Sequence, residues 1–191
     1  MTSSLHDQWY GVELQAFTNR IIELNLEFNQ LAGPIPTELG ELTAVTDLNL
    51  SANSLTGTIP TELGELTALV DYLHLNTNDL TGTIPTELGE LTDLTDLSVS
   101  INDLTGTIPT ELGELTALSK LSCFSNSLTG IIPTELGELT ALVAALYLDK
   151  NQLVGQIPTE LGHLTDLMRL YFDQNQLVGP IPTELGELTS L

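Results

Sequence analysis

Two apolar rhythms run through the chain. In Leu48-Asn49-Leu50 apolar and polar positions alternate, so both leucines point to one side of a short strand. Leu63, Leu66 and Leu69 follow at a spacing of three and turn inward again. Between the two runs stand Asn53 and then Thr56-Gly57-Thr58-Ile59-Pro60. The whole unit returns. Its asparagine sits at Asn29, Asn53, Asn78, Asn102, Asn126, Asn151 and Asn175, at intervals of 24, 25, 24, 24, 25 and 24 residues. Its proline keeps step at Pro36, Pro60, Pro85, Pro109, Pro133, Pro158 and Pro182. Fixed self-similarity of this length marks a stack of coils, each touching only its neighbours.

The unit predicts its own elements. Leu48-x-Leu50 is a strand. Asn53 leaves it, and its amide has donors and an acceptor for the turn and for the adjoining coil, so stacked asparagines form a ladder. Gly57 allows a backbone geometry or close approach that a side chain blocks. Ile59 buries, Pro60 suits the start of a helical turn, and Gly64 is expected to end it. One coil is therefore strand, turn, a second extended piece and a short 3-10-like turn. The expected strands are 23–27, 47–51, 72–76, 96–100, 120–124, 145–149 and 169–173, stacked in parallel about 4.8 Å apart. Two coils carry one extra residue, between Leu69 and Leu73 and between Leu142 and Leu146, each expected as a bulge just before its strand. The fold class expected is an α/β solenoid: a right-handed superhelix with a parallel concave sheet and short 3-10 turns on its convex side.

From Ile22 onward the string Leu24-x-Leu26-x-x-Asn29-x-Leu31-x-Gly33-x-Ile35-Pro36 resembles the plant-type leucine-rich repeat family, and the likeness covers residues 21–191. Residues 1–20 are no repeat. Their Trp9-Tyr10-Gly11-Val12 is similar to the N-terminal cap of microbial and algal members, shortened in front, with Leu14 where plant members carry cysteine. The expected organisation is a truncated cap over 1–20 and seven repeats over 21–191 with an open C-terminal end. The resemblance implies a recognition or scaffold module with a protein or peptide partner.

Composition narrows the chemistry. Four Lys and Arg face 26 Asp and Glu, a net charge of −22, which repels nucleic acid and anionic membranes. No apolar run approaches the roughly 20 residues that span a bilayer, and no signal peptide is visible, so a cytoplasmic or organellar setting is the default. A single cysteine, Cys123, permits no internal disulfide and takes the inward position of Leu50 in its coil. His6, His74 and His163 fall in three different registers of the coil, with no nucleophile–base arrangement among them. No enzyme activity, cofactor or metal centre is expected. Two glutamate columns, begun by Glu38 and Glu41, read as a solvated convex face.

The informative positions are those where the repeats differ. Residues flanking the two leucines of each strand are expected to face solvent on the concave sheet. In the last three coils these include Lys120, Phe124, Tyr147, Asp149, Arg169, Tyr171 and Asp173, with Lys150 beside them. Aromatics and arginine are what interface centres favour. With three of the four basic residues close by, the patch is expected to be less negative than the rest and to suit an acidic or aromatic-accepting partner. The rival reading is a structural subunit docked through its open ends in a larger assembly. A third is ice binding by the threonine columns of Thr56-Gly57-Thr58, Thr81-Gly82-Thr83 and Thr105-Gly106-Thr107.

Overall fold

The computed structural model describes residues 12–14 and 21–191. Its principal sheet contains the strands Ile21–Asn25, Asp47–Asn49, Tyr72–His74, Asp96–Ser98, Lys120–Ser122, Ala145–Tyr147 and Leu170–Tyr171, paired in parallel in chain order. The register is one coil on the next: Leu48 pairs with Leu73, Leu73 with Leu97, and Tyr147 with Tyr171. Val12–Leu14 adds an antiparallel strand to Ile21–Asn25. The remaining residues read as a cap, Trp9-Tyr10-Gly11 among them, lie outside the described residues.

A second, narrower set of parallel strands runs down another side, over Ala32–Pro34, Ser54–Thr58, Asp79–Gly82 and Asp103–Leu104, and again over Val154–Gly155 and Gln176–Leu177. Each coil closes through a 3-10 turn such as Thr61–Glu65, which starts right after the extended Pro60. The leucines of strand and turn meet between these walls: Leu48, Leu63, Leu66, Leu69 and Leu73 are fully buried. Cys123 is buried with them, and burial pushes its thiol up to about 12.

The asparagine ladder forms and interlocks. Asn102 Nδ2 donates to Val99 O and Ser100 O of its own coil and to Leu75 O of the coil before, while its Oδ1 accepts from Leu80 N. Asn78 also donates to Leu75 O and Asn126 also donates to Val99 O, so each of these carbonyls serves two amides.

Three local expectations change. The strands end two residues early, because the residue before each ladder asparagine is in the left-handed region (Ala52 at φ 53°, Ile101 at φ 53°) and bends the chain away. Gly64 does not end its turn but lies inside it. A Cβ at such a position runs into the adjoining coil; at Gly89 it would stand 2.6 Å from Glu111 O. The first extra residue is absorbed ahead of its strand, where Val70 N and Asp71 N share Thr46 O. At the second, Ala144 N bonds Ser119 O alone. Neither disturbs the strand register.

Candidate binding surface

The concave face is not uniformly solvent-facing. Asn49, Ser51, Ser98, Ser100, Ser122, Ala145 and Asp149 are buried, because each is small and stands beside a bulkier side chain on the same sheet. That contrast of sizes carves the face. A trough of about 350 Å³ runs across its middle coils, with Ser98, Ser100 and Ser122 on the floor and His74, Phe124 and Tyr147 on the sides. The serine hydroxyls bond one another, Ser98 Oγ to Ser100 Oγ at 3.1 Å and Ser100 Oγ to Ser122 Oγ at 2.9 Å.

One end of the trough is polar. Tyr72 and His74 stack with ring centroids 4.9 Å apart. The Tyr72 hydroxyl donates to Glu23 Oε1 at 3.4 Å; burial first, then the carboxylates of Glu23 and Asp47, push it up to about 12. Asp96 Oδ2 accepts from Lys120 Nζ at 3.1 Å. His74 Nε2 lies 3.3 Å from the same oxygen without the alignment of a hydrogen bond. Burial pulls the Asp96 carboxyl upward, but His74 and Lys120 together hold it below the usual carboxylate range.

The other end is aromatic. Tyr147 and Tyr171 share a column and stack at 5.2 Å, with 18° between their planes. Phe124 meets Tyr147 edge-on, at 6.2 Å and 84°. These rings and Asp149 enclose a recess of about 280 Å³. Asp149 is 8% exposed, and its carboxylate leans on its own backbone N–H. Burial raises its pKa, the neighbouring Asp173 raises it further, and Lys150 offsets part of the rise.

The structure thus gathers Phe124, Tyr147, Asp149 and Tyr171. Asp173 is exposed one coil on, accepting from Gln174 Nε2. Lys150 is exposed in the left-handed turn position, and Arg169 is exposed with no ion pair among the described residues. Lys120 stands apart, tied to Asp96. The one ionisable wall group of the recess besides the tyrosines is the carboxylate of Asp149. Sequence reasoning put Tyr72, Asp96 and the serines on the concave face but outside the binding patch, and it missed Ile101, which is 45% exposed and lines the trough. The available signal was the run of serines between His74 and Phe124, small residues that leave a depression between large ones.

The threonine columns have internal partners. The Thr81, Thr105 and Thr129 hydroxyls donate to the carbonyls of Gly57, Gly82 and Gly106 in the coil before. The Thr58, Thr83 and Thr107 methyl groups sit where a Cβ on Gly82, Gly106 and Gly130 would fall.

The Leucine Rich Repeat family model matches residues 20–42, 44–66 and 117–139. That match and the coil geometry make the chain a leucine-rich repeat solenoid. No curated protein matches it in sequence. Among solved structures, the chain is similar to the Arabidopsis receptor kinase HAESA, in complex with the peptide hormone IDA and the co-receptor SERK1. That likeness has a TM-score of 0.78 and 35% identity over 85% of this chain, which spans 27% of the HAESA chain. It is similar to Pollen Receptor Kinase 3 with a TM-score of 0.81 and 28% identity, covering 94% of this chain and 86% of that one. A plant ice-binding protein aligns with a TM-score of 0.62 and 26% identity, covering 92% of this chain and 79% of that one.

Proposed function

We propose that the chain is a non-enzymatic recognition module that binds a protein or peptide on the concave face of its last three coils. The observation that carries this is the trio Phe124, Tyr147 and Tyr171. Three ring-contacting aromatics hold a recess open on the concave face. Tyr171 is 50% exposed, so this apolar surface awaits a cover. The crystallised HAESA complex, with a peptide and a co-receptor, supports the same class of partner. In this reading residues 1–20 are a cap of the microbial and algal kind, ahead of repeats 21–191. The antiparallel pairing of Val12–Leu14 supports it.

The test is selection from a displayed random-peptide library on the full chain, with the winners measured again on variants. Tyr147→Ala with Tyr171→Ala abolishes their binding while the circular dichroism spectrum is unchanged. Asn25→Ala with Glu27→Ala, at the far end of the same face, leaves it intact. Binding that survives the tyrosine pair and falls with the N-terminal pair places the surface elsewhere.

A second reading, ice binding by the threonine columns, is favoured by hydroxyls whose orientation is set by the sheet and by the likeness to a plant ice-binding protein. Ice recrystallisation that proceeds as fast with the protein as without it ends that reading.

A further inference from the structure

The aromatic recess has a property that a general protein-binding patch does not need. Its rings meet at a corner: the Phe124 plane stands 84° to the Tyr147 plane, and Tyr171 stacks on Tyr147 with 18° between their planes. Asp149, buried and lacking any cationic hydrogen-bond partner among the described residues, lies in the same wall. Ring faces carry the negative lobe of the aromatic quadrupole, so a corner of two faces attracts a cation. A buried carboxylate without a cation bears a desolvation cost that an incoming positive group relieves. Lys150, exposed to solvent in the turn, offsets part of the rise in the Asp149 pKa.

We propose that the Phe124–Tyr147–Asp149–Tyr171 recess is a cation-selective pocket that receives an arginine or lysine side chain of the peptide or protein partner. The proposal rests on the recognition reading above and names the residue class at its centre. Charge argues for this occupant over an acidic one. The chain carries a net charge of −22, so its field concentrates basic segments and repels acidic ones before contact. The recess volume of about 280 Å³ suits a side chain better than a folded element. The stacked tyrosines offer a planar guanidinium a surface to lie on.

The experiment titrates the full chain, with its Phe and Tyr rings isotopically labelled, with four small probes followed by NMR. They are N-acetyl-arginine amide, N-acetyl-lysine amide, and the neutral counterparts N-acetyl-citrulline amide and N-acetyl-norleucine amide. The cationic probes shift the Phe124, Tyr147 and Tyr171 ring signals saturably, and bind at least about fivefold more tightly than their neutral counterparts, the discrimination expected of a cation over ring faces. Asp149→Asn reduces that preference while the rings keep their native shifts, and Tyr147→Leu weakens both cations. Equal binding of citrulline and arginine amides, or an unchanged preference in Asp149→Asn, overturns the proposal. So do ring signals that stay still at tens of millimolar probe. The library selection separates the two levels of reading. Winners without Arg or Lys that still need Tyr147 keep the recognition reading and remove the cation pocket. Cation-selective ring shifts with no library winners keep the pocket and remove the peptide reading.

Discussion

Asn102→Ala tests what holds one coil to the next. The amide makes four hydrogen bonds, but their loss is unequal. Leu75 O keeps Asn78 as a donor, Val99 O keeps Asn126, and Ser100 O keeps the backbone N–H of Thr77. Leu80 N is different, because Asn102 Oδ1 is its partner and Leu80 is fully buried. Leaving a buried N–H unpaired costs roughly 1–3 kcal/mol. The other three bonds are to carbonyls that keep a donor, so their loss adds little and the total is about 2–3 kcal/mol. In a chain of this size that lowers the melting temperature by about 4–12 °C. The comparison is Asn29→Ala. Asn29 is exposed and donates only within its own coil, to Leu26 O and Glu27 O, so its removal costs under about 1 kcal/mol. The assay is thermal unfolding by circular dichroism, with hydrogen exchange at Leu80 as the local readout. Equal destabilisation by the two variants, or unchanged exchange at Leu80, refutes the view that the ladder acts by satisfying the adjoining coil.

Other perturbations follow from the same geometry. Gly89→Ala places a methyl 2.6 Å from Glu111 O and costs about 3 kcal/mol. Gly186→Ala has nothing within 4 Å and changes stability by less than about 1 kcal/mol; equal effects in chemical denaturation refute the steric account. Ile101 is β-branched in the left-handed region, so Ile101→Asn stabilises by about 1 kcal/mol, read as a higher melting temperature; a lower one refutes the strain. Asp149 has a raised pKa, so its ionised form burdens the fold at neutral pH, and the burden lifts as pH falls through that pKa. Asp149→Asn therefore raises the melting temperature at pH 7 by more than Asp166→Asn does at an exposed position, and the difference shrinks toward pH 3. A difference independent of pH contradicts this origin.

The coil, its strands and its ladder were legible because each recurs in residues with one physical use: alternating inward apolar residues, mostly leucine, and an asparagine and an Ile-Pro pair written seven times. The role of Gly64 was not, because a close approach and a turn end both ask for glycine, and only the position of the adjoining coil separates them. At the surface, the pairing of Tyr147 with Tyr171 followed from counting along strands of known register. The depth of Asp149 and the seclusion of Lys120 did not. They depend on how far Phe124 and His74 lean over smaller neighbours, and on which carboxylate a flexible ammonium reaches first.

The contact between turns has a consequence for assembly of the fold. Every TELG segment rests on the next through the same glycine-to-glutamate backbone fit, from Gly40 on Glu62 to Gly162 on Glu184. Such a joint holds firmly but carries no address: it accepts any coil as readily as the right one. The order of the stack is kept by chain connectivity alone on that side. A chain emerging from the ribosome, whose coils dock as they appear, is protected from skipping one. A chain refolding from full length is not, and can trap coils out of turn.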